Sequence, residues 1–178
     1  MRISVIYYHR KFLQNLQAFR PLHRLGGGKP RNATRREAQT EECRSRTALA
    51  THVLYEAFLD PHQMMRVGLG APAEIDPKVG GRFSWFNKSI EGEITALTPN
   101  KEIQEKWRFA EWEPMVYSDV KMKFDAEESD TTRLTIEQSG IPLTDKFGNG
   151  NCDVRVREGW RQHILDRFEK VLGYPRQK

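Results

Sequence analysis

The chain has 178 residues, with 29 Lys and Arg against 24 Asp and Glu and a formal net charge of +5. That length suits one domain plus an appendage, and no apolar run approaches the roughly 18 residues of a membrane-crossing helix. The charge is unevenly placed: nine of the basic residues and none of the acidic ones fall in residues 1–36, so the remainder carries 20 basic against 24 acidic, a net of −4. The folded part therefore has no overall basic footprint, and neither a nucleic-acid nor a membrane partner is expected. The two cysteines, Cys43 and Cys152, stand in no CxxC or Cys/His spacing. No disulfide framework or zinc site follows, and the usage fits a reducing compartment.

Residues 1–46 read as a basic segment ahead of the domain, expected to be disordered. The Arg-rich and acid-free composition of residues 1–36 is that of a mitochondrial leader, although Ser4 is the one serine before Asn32 and such leaders are Ser-rich. A solvated tail and a start translated from non-coding sequence are the alternatives. The run Gly26-Gly27-Gly28-Lys29 is no phosphate loop, because Pro30 stands where Ser or Thr is required. It reads as a flexible connector.

The domain is read over residues 47–175. Ala48 to Asp60 places Val53, Leu54, Ala57 and Phe58 at helical spacing. Asp60 and Pro61 end that helix and form the cap and first turn of a second short one, HQMMRV. Short alternating runs follow: PAEID (72–76), RFSWF (82–86), SIEGEITAL (89–97), KEIQEKWRF (101–109), MVYSDVKMKF (115–124) and TTRLTIEQS (131–139). Turn residues separate them, and the spacing leaves no room for crossover helices, so the sheet is an antiparallel meander. After Gly140-Ile141-Pro142 and the KFGNGN loop, one amphipathic helix spans about Asp153 to Leu172, its stripe formed by Val156, Trp160, Ile164, Phe168 and Val171. Gly173 stops it. Gly159 inside it costs about 1 kcal/mol relative to alanine, which predicts a close backbone approach there.

A sheet with one apolar face and a helix with one apolar stripe must cover each other. The fold class is α+β: a helix-grip domain in which a curved antiparallel sheet wraps a long C-terminal helix, with two short helices near the start. Such a fold often leaves a cavity between sheet and helix.

The ordered set Gly80-Gly81-Arg82-Phe83, Gly92-Glu93, Lys106-Trp107-Arg108-Phe109, Trp112, Gly140-Ile141-Pro142, Gly159-Trp160 and Gly173-Tyr174 resembles the C-terminal domain of the activator of heat shock protein 90 ATPase family. That family lies in the START and birch-pollen-allergen-like superfamily, and the resemblance covers about residues 50 to 174. It implies a cytoplasmic co-chaperone that binds the heat shock protein 90 chaperone and stimulates its ATPase by favouring a closed conformation. It implies no cofactor and no enzymatic activity of the domain's own. The family's N-terminal domain has no counterpart in residues 1–46, and only RSRTAL (44–49) stands where its first strand belongs. The alternative is a stand-alone helix-grip protein holding a small hydrophobic ligand, with or without catalysis.

Period-two alternation turns Ile103, Glu105 and Trp107 toward the helix. The expected cavity- or ligand-facing set is Ile94, Ile103, Glu105, Trp107, Val120, Met122, Ile136, Trp160 and Ile164. A carboxyl group in that company would have its pKa raised and could act as an acid or anchor a polar group. The competing reading puts Glu105 at the sheet's end or a cavity mouth, solvated or paired with arginine, and the cost of burying an unpaired charge favours it. Trp112, flanked by Glu111 and Glu113, is either an exposed partner contact or a packing residue. His52, His62 and His163 fall on or beside helices and supply no evident base, and no metal-ligand spacing is present. Cys152 precedes the long helix, where a thiolate would be favoured, but a small residue in a loop without a chemical role is the better reading.

Overall fold

The computed structural model describes residues 39–127 and 130–177, and the basic leader reading falls outside them. Eight strands form one sheet: β1 (Gln39–Thr47), β2 (Glu74–Ile75), β3 (Arg82–Trp85), β4 (Ile90–Thr98), β5 (Glu102–Phe109), β6 (Ser118–Ala126), β7 (Thr132–Ile141) and β8 (Arg176–Gln177). Their order is β2-β3-β4-β5-β6-β7-β1-β8, and every pairing is antiparallel. The meander from β2 to β7 is the one the sequence predicts. Helices α1 (Thr51–Leu59) and α2 (Pro61–Val67) follow β1, and the Asp60 carboxylate accepts the His62 N–H at 2.8 Å as the cap of α2.

Strand β1 corrects the expected first strand and the boundary at residue 47. It begins eight residues earlier and pairs with β7 from Thr40↔Ser139 to Thr47↔Thr132. Its inward positions are Glu41, Cys43, Ser45 and Thr47, while Glu42, Arg44 and Arg46 point out. No apolar alternation marks it, so its strand conformation comes from the ladder that β7 offers. Strand β6 begins at Ser118 rather than Met115, because Met115 adopts a left-handed φ of 66° and turns the chain.

The long C-terminal helix runs without a break as α3 (Cys152–Glu158), a π-helical segment (Gly159–Leu165) and α4 (Asp166–Leu172). Val156, Trp160, Ile164 and Phe168 are buried against the sheet, and the widened turn also buries Leu165. Arg157 clamps α3 to β1 through two hydrogen bonds to Glu41, at 2.7 and 2.6 Å. A Cβ at Gly159 would meet the Phe109 ring at 3.7 Å, an ordinary contact, so the expected close approach is not there. Gly173 ends the helix at φ 74°.

The outer face of the sheet is a charge ladder, with solvated Lys106–Asp119 at 2.5 Å and Lys123–Glu137 at 3.0 Å and a part-buried Arg108–Glu91 at 3.4 Å. Such pairs contribute about 0–1 kcal/mol each, and opposite charges across neighbouring strands favour the observed register. The inner face carries the core.

Gly92 is a different case from Gly159. A Cβ there would lie 2.1 Å from the Lys106 carbonyl and 2.4 Å from the Phe83 ring, so the β3–β4–β5 crossing admits no side chain. Gly92→Ala is expected to cost roughly 3 kcal/mol or to prevent folding. Gly159→Ala is expected to be neutral or to add up to about 1 kcal/mol. Urea denaturation of the two variants checks this; equal effects would refute the distinction.

Candidate functional site

The site grows from β5, whose alternation sends Ile103, Glu105, Trp107 and Phe109 inward and buries all of them. Glu105 lies between Ile94 of β4 and Val120 of β6, and Val120 in turn lies beside Gln138 of β7. It is in the middle of the sheet and 2% exposed. Its Oε2 is buried with no hydrogen-bond partner among the described residues. The favoured reading from sequence, a solvated or arginine-paired carboxylate at the sheet's end, is therefore corrected. Burial raises its pKa from 4.5 to about 8, so the carboxyl is protonated at neutral pH.

The helix closes over this row through Trp160. Its ring stacks on Trp107 at 6.2 Å and meets Trp85 edge-on at 6.2 Å. Its Nε1 donates to Gln138 Oε1 at 2.6 Å; Gln138 Nε2 donates to Ser118 Oγ at 2.8 Å; Ser118 Oγ donates to the Trp107 carbonyl at 2.9 Å. Three strands and the helix are thus joined by one buried chain of hydrogen bonds. Gln138 and Ser118 were not among the expected site residues. The signal for Gln138 was present: it continues the inward series Leu134, Ile136 as the polar member. Ile94, Ile103, Val120, Met122 and Ile136 are all buried on the same inner face, Ile164 is buried on the helix, and the Nε1 atoms of Trp85, Trp107 and Trp112 are buried without a partner among the described residues.

Trp112 is 1% exposed, which removes the exposure that the partner-contact reading needs. The loop turns back at once, with Trp112 N–H donating to Phe109 C=O at 3.0 Å. This sets the ring edge-on against Trp107 and Phe109, each at 5.6 Å. The exposed apolar side chains at this end are others: Met115 (83%), Tyr117, Leu143 and Phe147 (69%). They sit on two loops tied together by Lys146 N–H to Glu111 C=O at 3.0 Å and by Arg155, which bridges Glu111 at 3.1 Å and Asp145 at 3.0 Å. Burial opposes the Asp145 charge, but hydrogen bonds from Asn149, Phe147 N–H and Arg155 outweigh it and hold its pKa below the usual value. These loops are braced from within.

Acid–base chemistry finds little support here. Burial, with Arg167 nearby, lowers His163 to about 4, so its imidazole is neutral. Burial also raises the Cys152 thiol pKa despite the Arg155 contact, so no thiolate is favoured. Among the described residues no group of three or more His, Cys, Asp or Glu could hold a metal ion.

The family model described as "Activator of Hsp90 ATPase homolog 1-like protein" matches residues 49–173. The chain belongs to this family. It is 30% identical over 120 residues to an activator of 90 kDa heat shock protein ATPase homolog from Dictyostelium discoideum, covering 67% of this chain and 29% of that protein. It is 28% identical over 121 residues to the Homo sapiens homolog 1, covering 68% and 33%. The chain thus spans about a third of the length of these curated relatives. Among solved structures it is similar to one described as an HSP90 activator from Plasmodium falciparum, with 36% identity and a TM-score of 0.76 over 78% of this chain and 99% of that one. An Aha1 dimer from Colwellia psychrerythraea, at 15% identity and a TM-score of 0.57 over 75% of this chain and 96% of that one, shares the helix-grip fold. The family match begins after β1, which the structure adds to the domain.

The buried Glu105 makes stability depend on pH. Below about 4.5 the carboxyl is protonated in both folded and unfolded chains; between 4.5 and about 8 only the unfolded chain ionises, so stability falls as pH rises and levels off above 8. The span corresponds to on the order of 4–5 kcal/mol. Urea melts of Glu105→Gln against the unsubstituted protein are expected to show a gap in the variant's favour that widens from pH 4.5 to 8. A gap that does not change with pH would refute it.

Proposed function

We propose that this domain binds a heat shock protein 90 chaperone and stimulates its ATPase. The observation that carries the reading is the family membership together with the likeness to the Plasmodium falciparum HSP90 activator, nearly all of which this domain overlays. The chaperone performs the ATP chemistry. The domain acts by binding a closed conformation more tightly than an open one, since a partner shifts only an equilibrium it reads unequally.

The braced end supports the same reading. Met115, Tyr117, Leu143 and Phe147 are presented by loops that lose little freedom on binding, and aromatic and Met side chains with a charged rim of Lys146, Glu113 and Arg108 are the composition of a protein contact. The compartment would be the chaperone's own: the cytoplasm, or the mitochondrion should residues 1–36 act as a leader.

A second reading rests on one observation, the unpartnered Glu105 Oε2 and indole N–H groups on the inner face. A small, largely apolar ligand carrying one polar group would satisfy them.

Titrating the protein into a chaperone ATPase assay is expected to raise turnover saturably. Replacing Leu143 and Phe147 together by Ser is expected to weaken the half-maximal concentration about tenfold, with an unchanged melting curve. Absence of both binding and stimulation would overturn the proposal. Native mass spectrometry that finds a co-purified small molecule in the unsubstituted protein and not in Glu105→Gln would favour the second reading.

A further inference from the structure

The two margins of the sheet are finished differently. One margin is the two-residue β2, beyond β3. At the other, β8 pairs with β1 only at Arg46↔Gln177 and Thr47↔Arg176, whereas β7 pairs with β1 along its whole length. From Thr40 to Ser45 the far edge of β1 therefore has no strand partner among the described residues. The register says which main-chain groups face it. Ala48 N–H donates to Pro175 C=O at 2.9 Å, and Arg46 is the next residue paired toward β8. Alternate residues of an antiparallel strand point their N–H and C=O to the same side, so Arg44 and Glu42 present theirs to the open edge. The N–H and C=O of Cys43 and Ser45 point into the β7 ladder.

Beside this edge lies a cavity of about 370 Å³ lined by Arg44, Ser45, Arg46, Arg133 and Arg176. Its four guanidinium groups contact three carboxylates. Arg44 pairs with Glu42, Arg46 and Arg133 share Glu127, and Arg176 holds Asp166 and donates Nε–H to Ser45 Oγ at 3.1 Å. Each guanidinium has five N–H donors. The Arg44 and Arg46 ion pairs run through Nε, which leaves the terminal nitrogens of both available to a further anion. The site has one more positive than negative group and donors to spare, next to a run of main-chain donors and acceptors that have no strand partner among the described residues.

We infer that the open edge of β1 is a docking site for an extended, acidic segment of a protein partner. The segment adds as an antiparallel strand opposite Arg44 and Glu42, and it places a carboxylate in the arginine-lined cavity. Main-chain hydrogen bonds to Arg44 and Glu42 supply affinity, and the guanidinium forks select for acid. Charged side chains commonly guard an edge strand against pairing; here the charge is arranged around a cavity. The inference stands on the edge and the cavity, independently of the chaperone reading.

The test uses a fluorescently labelled peptide alternating Glu and Val, a control alternating Lys and Val, and the full chain. The Glu peptide is expected to bind with an affinity that falls with salt and falls about tenfold or more when Arg44 and Arg46 are both replaced by Glu. Both side chains are more than half exposed, and a melting curve confirms that the variant folds. Hydrogen exchange in the complex is expected to show new protection at the Glu42 and Arg44 amides and none at Cys43. No binding, equal binding of the Lys peptide, or binding without protection at Glu42 and Arg44 would overturn the inference. Self-association of the protein with those same amides protected would give the edge to a second copy and overturn it too.

Discussion

The hydrogen bond from Trp160 to Gln138, with the Trp160 ring stacked on Trp107, is the interaction on which the rest of the structure depends. A one-striped helix can slide or rotate over an apolar sheet face at small cost, because hydrophobic burial has no direction. A buried indole N–H with a single acceptor cannot. Leaving Gln138 unpaired would cost its desolvation, roughly 1–3 kcal/mol, so the bond selects one placement of the helix along the sheet. The Arg157–Glu41 pair repeats the choice one helical turn away, at β1. The π-helical segment begins at Gly159, one residue before the ring that must meet both partners.

With the helix placed, the interior inherits a cost. Glu105 is carried inward by a strand whose other inward residues are Ile103, Trp107 and Phe109, and period two leaves it no alternative. Its answer to burial is to keep its proton rather than to find a cation. The same closure draws Trp112 off the surface into the Trp107–Phe109 cluster. The end of the domain then presents a different set of apolar side chains, on loops that buried Asp145 and Arg155 hold in place. Interior and surface at this end are two results of one packing solution.

Much of this was legible in the chain. The meander, the two short helices, the long one-striped helix and its glycine stop all follow from periodicity and turn residues, because each depends on neighbours in sequence. The ordered glycines and tryptophans carried the family as well, and the structure gives the reason for one of them: no side chain fits at Gly92 between Lys106 and Phe83. Two readings failed for a common reason. Strand β1 has no apolar alternation, and burying the acid at position 105 looked too expensive. In both cases the deciding partner lies far away in sequence: β7 for β1, and the closed helix for Glu105. The sequence leaves Trp112 open between contact and packing, and its near neighbours Trp107 and Phe109 decide for packing.

The sequence by itself determined which residues face the same way, since side-chain direction in a strand or helix is set by a local period. That was enough to name the inward set from Ile94 to Ile164 and to predict that sheet and helix cover each other. Only the tertiary structure decided what those faces meet: that Gln138 holds Trp160 and that, among the described residues, Glu105 is buried without a cation and one sheet margin lacks a strand partner beside four arginines. The physical reason is that period is a property of the backbone within one element. Burial, pairing and vacancy are properties of the space between elements.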